Sequence, residues 1–113
     1  DKLTAGWERG LNLLKQAYEG KALTPVDRLL LECAESAYLH FASARNHIRY
    51  VTARPDAART EALIREEERL AIREAELVAG NPTLGFEATN HYFYTRQDLF
   101  EKVLNCRHLL GEL

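Results

Sequence analysis

Four titratable side chains fall at spacings that could bring them together for chemistry. His40 and His47 are seven residues apart, which places both on one face of a helix. Glu67 and Glu74 share that spacing and interrupt an apolar stripe of leucines. Neighbouring carboxylates and imidazoles can bind a ligand or transfer protons near neutral pH. These four residues are therefore one candidate site for a small enzyme or a ligand-binding bundle.

The same residues also have a structural interpretation. A carboxylate inside a core is costly unless it is paired and hydrogen-bonded. Glu67 and Glu74 would then form a buried polar network with residues of the second helix. Alternatively, the apolar stripe of the third helix is narrower and does not include these two positions. The second helix offers four possible partners: His40, Arg45, His47 and Arg49. We expect this interpretation, because no nucleophile, oxyanion site or phosphate-binding loop accompanies the four residues.

The sequence predicts no metal site and no cofactor. Carboxylate-bridged metal bundles use a glutamate followed three residues later by histidine, and this pair does not occur here. A His-Glu-x-x-His motif and a paired-cysteine knuckle are also missing from the sequence. Cys33 and Cys106 both fall on apolar helical stripes, so we expect two free, buried thiols.

The segment from Gly85 to Tyr94 is the second candidate site, because it mixes aromatic rings with polar side chains. Such a mixture suits sugar stacking and protein contacts. Alternatively, the rings pack back to cover one end of the helices. We expect the contact surface to include Trp7 if the first helix lies nearby, together with Glu87, Asn90, His91, Tyr92 and Tyr94.

These residues require a scaffold of about four amphipathic helices. Apolar residues recur at spacings of three and four over residues 4–19, 25–51, 57–79 and 95–110. Thr24 with Asp27, and Thr95 with Asp98, are helix-start signals. The sequence therefore predicts a single all-α domain over residues 1–113. Its fold would be an up-down antiparallel bundle, with an irregular aromatic segment before the last helix.

The longest apolar stripe predicts which helix is central. It belongs to the second helix and runs over about seven turns. Its members are Val26, Leu30, Cys33, Ala37, Phe41, Ala44, Ile48 and Val51. We expect this stripe to be the buried spine of the bundle.

Charge and hydropathy exclude some partners. The net charge is −2, so there is no basic excess for binding nucleic acid. No apolar run approaches the roughly 20 residues of a membrane span, and the first residues lack a signal-peptide pattern. The chain contains no methionine, so we expect a piece of a longer protein. A cytoplasmic location is favoured.

The last third of the chain carries a resemblance. The run from Gly85 to Tyr94, followed by Asp98 to Cys106, resembles the end of large bacterial proteins of the glycoside-hydrolase type. Such proteins carry a barrel-like sugar-active domain and finish in a helical region. The resemblance includes no catalytic motif, so no catalytic residue can be carried over. It implies a non-catalytic accessory domain that packs on the catalytic domain of its parent chain, with carbohydrate as a further expected contact at the rim of the sugar site.

An interaction module is the alternative function. In that case a mixed-charge face of the third helix and a leftover apolar stripe would bind another helix, or a second copy to give a homodimer. Under either function, we expect this chain by itself not to be an enzyme.

Overall fold

Over the residues that it describes, the structure, a computed structural model, contains four helices and a short pair of antiparallel strands. It describes residues 2–84 and 95–113 in full, and only the backbone of residues 86–87 and 92–93 between them. In chain order the elements are α1 (Lys2–Tyr18), α2 (Pro25–Ala53), α3 (Ala57–Gly80), β1 (Phe86–Glu87), β2 (Tyr92–Phe93) and α4 (Arg96–Leu110). The predicted all-α class is confirmed.

Local hydrogen bonds explain where the helices begin. At the start of α2 the Thr24 hydroxyl donates to Asp27 Oδ2 at 2.6 Å, and Asp27 N–H donates to Thr24 Oγ1 at 3.2 Å. Thr95 and Asp98 form the equivalent capping box at α4. These side chains satisfy helix N–H groups that have no partner within the helix. Both predicted start signals are confirmed.

Two glycines mark where helices end. Gly20 follows α1 with φ of 73° and Gly111 follows α4 with φ of 74°. A side chain at such positive φ meets the backbone, so glycine is the favoured residue there.

The chain divides into two compact units, Asp1–Arg45 and Asn46–Leu113. In the first unit, the Thr4 hydroxyl donates to the Phe41 carbonyl at 3.3 Å, and Lys15 Nζ lies 3.6 Å from Glu35 Oε1. Because higher numbers on α1 meet lower numbers on α2, the two helices are antiparallel here. The residues buried in this unit are Thr4, Leu11, Ser36, Leu39 and Ala42.

The second unit contains the end of α2 together with α3 and α4. A tight turn joins α2 to α3, where the Thr60 hydroxyl donates to the Ala53 carbonyl at 3.1 Å. The α3 and α4 helices pack against each other. Their apolar residues buried in this unit are Leu63, Ile64, Ala71, Ala75, Leu77, Val78, Leu99, Val103 and Cys106.

The predicted buried spine of α2 is wrong. Val26 and Leu30 in the first unit, and Ile48 and Val51 in the second, are exposed, and so is Cys33, which was expected to be buried. The first unit instead buries a different face of α2, that of Ser36, Leu39 and Ala42. Helical periodicity shows which residues share a face, but not which face a neighbouring helix covers.

The aromatic segment, predicted as irregular, contains a short antiparallel ladder. Phe86 pairs with Phe93 and Glu87 pairs with Tyr92. Strands of two residues are too short to show a period of two in the sequence, so the pairing could not be predicted. Gly85, Ala88 to His91 and Tyr94 lie outside the described residues.

Candidate functional site

The outer face of α2 in the first unit is an uncovered apolar surface. We call the residues Val26, Leu30, Cys33, Ala37, His40 and Ala44 the α2 seam. They follow one another at alternating spacings of four and three, so they form one row along the helix. Val26 is 73% exposed and Leu30 is 48% exposed. Large apolar side chains in a contiguous exposed row indicate a contact surface.

None of the α2 seam positions is occupied by Asp, Glu, Lys or Arg. At about 100° per residue, the charged residues of this part of α2 fall on other faces of the helix. Those residues are Asp27, Arg28, Glu32, Glu35 and Arg45. The seam begins with bulky Val26 and Leu30, and the larger His40 lies between small Ala37 and Ala44 towards its end.

Glu67 is the centre of a polar network in the second unit. Its side chain is buried, with the residue only 6% exposed. Asn46 Nδ2 donates to Glu67 Oε2 at 3.3 Å, and His47 Nε2 lies 3.3 Å from Glu67 Oε1. Lys102 Nζ forms an ion pair with the same Oε1. Residues of α2, α3 and α4 thus converge on one carboxylate.

A cleft of about 240 Å³ lies beside this network. Its walls include Leu63, Ile64 and Leu109, and Glu67 and Cys106 also line it. Burial, followed by the negative charge of Glu67, raises the pKa of the Cys106 thiol above its ordinary value. The thiol is therefore held in its neutral, weakly nucleophilic form.

The candidate network residues do not all meet. The structure brings Glu67 and His47 together, whereas His40 belongs to the first unit, where its ring meets Phe41 edge-on at 6.0 Å. Glu74 is buried in α3. Sequence reasoning missed two participants, Asn46 and Lys102. Lys102 precedes Val103 at the edge of the apolar stripe of α4, and no spacing rule distinguishes it from an ordinary surface lysine.

The candidate contact surface can be followed only in part. Trp7 is partly exposed, and its ring stacks on Phe41 with 5.5 Å between centroids. The backbone of Glu87 and Tyr92 is paired in the hairpin. The side chains of these two residues, and the whole of Asn90, His91 and Tyr94, lie outside the described residues.

The described residues contain no group of three or more His, Cys, Asp or Glu side chains that could hold a metal ion. None of their helices is long and apolar enough to cross a membrane. In comparisons with known proteins, no family model, curated protein or solved structure matches the chain.

Proposed function

We propose that this chain is a non-catalytic interaction module that binds a partner helix on the outer face of α2. The exposure of the α2 seam is the observation that carries the proposal. An amphipathic helix normally turns its apolar side towards the core. Here Val26, Leu30 and Cys33 of α2 are exposed to solvent, while the buried face of the helix in this unit consists of Ser36, Leu39 and Ala42.

Covering the seam would be favourable. Complete burial of a Leu or Val side chain contributes about 1.5–3 kcal/mol. Val26 is 73% exposed and Leu30 is 48% exposed, and Leu29 beside them is also exposed. A partner helix with apolar residues at spacings of three and four would bury all three side chains.

The Glu67 network supports a structural role. Lys102 and His47 approach one carboxylate oxygen, and Asn46 donates to the other. A carboxylate whose oxygens are already engaged by three side chains is poorly placed to accept a proton from a substrate. Its role in the proposal is to hold α3 and α4 to the end of α2.

The accessory role rests on the sequence resemblance alone. In that version of the proposal, the partner is a sugar-active domain of the same parent protein. The aromatic segment assigned to that contact lies mostly outside the described residues. The α2 seam supplies a separate surface that serves either kind of partner.

A labelled helical probe tests the proposal. The probe is a fluorescent peptide of about three heptads with leucine at the first and fourth positions of each heptad. We expect saturable binding by fluorescence anisotropy, weakened at least about tenfold by Leu30→Glu, since an unpaired charge would be buried in the contact. Leu13→Glu on α1 is the matched control, because Leu13 is also an exposed leucine (66% exposed) but lies outside the α2 seam.

The control defines the contradicting results. Equal loss in both variants would mean that charge, not the α2 seam, governs binding. No saturable binding by the unmodified chain would refute the proposal.

A further inference from the structure

We propose that the cleft beside Glu67 in the second unit binds a small neutral molecule, one with an apolar body and a single N–H or O–H donor, as in an indole. This site goes beyond the proposed function, which concerns the α2 seam of the first unit. Two observations carry the inference. The cleft has apolar walls, and a residue that lines it holds a buried hydrogen-bond acceptor without a donor among the described residues.

The cleft reaches from the core of the second unit to its surface. Leu63 and Ile64, which line it, are buried, whereas Asn105 and Leu109, which also line it, are exposed. The ring of Tyr50 adds an aromatic wall. A cavity of about 150 Å³ with apolar walls is large enough to bind benzene. The volume here, about 240 Å³, therefore admits a molecule of two fused rings.

Asn46 supplies the unsatisfied acceptor. This residue lines the cleft and is only 1% exposed. Its Nδ2 donates to Glu67 Oε2 at 3.3 Å. This bond fixes the orientation of the amide, because a carboxylate accepts hydrogen bonds and does not donate them. Asn46 Oδ1 is thus left as an acceptor, and no described residue donates to it. Most buried polar atoms are hydrogen-bonded, so this oxygen indicates a donor from outside the chain.

The charges around the cleft favour a neutral ligand. Glu67 and Lys102, the two residues of opposite charge that line the cleft, already form an ion pair with each other. A charged ligand would lose its hydration on entering the cleft and would have to compete with this pair for a counter-charge. A neutral N–H or O–H group needs only one acceptor, and Asn46 Oδ1 offers it.

Indole and benzofuran are matched probes of this contact. The two molecules have nearly the same shape, but benzofuran has an oxygen where indole has its N–H group. A net hydrogen bond contributes roughly tenfold in affinity, so we expect indole to bind about tenfold more tightly than benzofuran. For a ligand of this size we expect a dissociation constant of indole below about 1 mM.

Amide NMR of the isotope-labelled chain tests the proposal. During titration with indole, we expect saturable shifts centred on the residues that line the cleft, among them Leu63 and Cys106. Absence of saturable shifts at several times the expected constant would overturn the proposal. Shifts centred elsewhere, or equal affinity for indole and benzofuran, would also overturn it.

Two asparagine variants test which residue accepts the hydrogen bond. Asn46→Leu removes the acceptor, so indole should lose its tenfold preference over benzofuran, whereas benzofuran itself should still bind. Asn105→Leu is the matched control, because Asn105 also lines the cleft but is exposed, and it should keep the preference. A preference that survives in folded Asn46→Leu would overturn the proposal. If Asn46→Leu does not fold, the two probes on the unmodified chain still decide.

Failure of the cleft site is distinguishable from failure of the proposed function. Leu30 does not line the cleft, so Leu30→Glu should bind indole with unchanged affinity although it binds the helical probe weakly. Loss of indole binding in folded Leu30→Glu would overturn the assignment to the cleft. A chain that binds the helical probe but not indole would refute the cleft ligand and leave the interaction module standing.

Discussion

Replacing Lys102 with methionine should destabilise the second unit by leaving Glu67 without its cationic partner. The Lys102 side chain is 29% exposed and that of Glu67 is 8% exposed, so this ion pair lies largely out of solvent. Methionine preserves most of the apolar stem of lysine and removes the charge. The substitution thus isolates the electrostatic contribution from packing.

The expected cost is intermediate between surface and buried pairs. Removing one partner of a fully buried pair costs about 3–5 kcal/mol, whereas exposed pairs contribute about 0–1 kcal/mol. Asn46 and His47 continue to contact the Glu67 carboxylate. We therefore expect Lys102→Met to cost about 2 kcal/mol, between those limits.

A double-mutant cycle provides the assay. Glu67→Gln keeps an oxygen for the Asn46 amide and removes the charge, and we expect it to cost about 1–2 kcal/mol. The double variant should cost less than the sum of the two single changes, by about 1–2 kcal/mol. Urea unfolding followed by far-ultraviolet circular dichroism measures each free energy of unfolding.

A surface ion pair supplies the control. Arg73 Nη1 lies 3.0 Å from Glu76 Oε2, and both side chains are exposed. Arg73→Met should cost less than about 0.5 kcal/mol. Equal costs for Lys102→Met and Arg73→Met, or strict additivity in the cycle, would refute the buried pair.

Further predictions concern the α4 cap and the thiols. Thr95→Ala should cost about 1 kcal/mol in urea unfolding, because it removes the capping hydroxyl. The backbone N–H and hydroxyl of Thr95 lower the pKa of Asp98. The stability that Asp98 contributes is therefore present above its unfolded pKa and is lost as pH falls through its folded pKa. We expect Thr95→Ala to make the free energy of unfolding depend less steeply on pH in the acid range. Burial raises the pKa of Cys106. The stability that its neutral thiol contributes is present below the unfolded pKa and is lost as pH rises through the folded pKa. In Cys106→Ala the free energy of unfolding should therefore fall less steeply with rising pH in the alkaline range. A disulfide reagent should modify Cys33 rapidly and Cys106 slowly, and equal rates would contradict the assigned burial.

Helix positions could be predicted well from the sequence because the signals are local. Thr24 with Asp27, and Thr95 with Asp98, bond within four residues of each other. Such contacts need no information about distant parts of the chain. The starts of α2 and α4 and the all-α class follow from this local chemistry.

The covered face of α2 could not be predicted because it depends on tertiary contacts. Val26 and Leu30 repeat with the helical period whether or not another helix covers them. Burial of Ser36 and Asn46 follows from how closely the neighbouring helices approach. On this helix, the apolar pattern of the sequence therefore does not show which residues are buried.

Of the Glu67 network, only the acidic residue could be predicted from the sequence. Glu67 interrupts an apolar stripe, and this conflict with the pattern revealed it. Lys102 breaks no pattern in α4, since a long side chain can lie along an apolar surface and extend its charged end. Its role emerges only when α3 and α4 are placed together.

Alkylation of Cys33 tests the central claim, that the α2 seam is an open contact surface, most directly. Cys33 lies at the middle of the seam and is exposed. At low protein concentration, we expect iodoacetamide to modify it about as fast as in urea-unfolded chain at the same pH. Saturating helical probe should slow the reaction at least about tenfold, because a bound helix covers the sulfur. Slow modification of the dilute chain, or no protection by the probe, would contradict the claim.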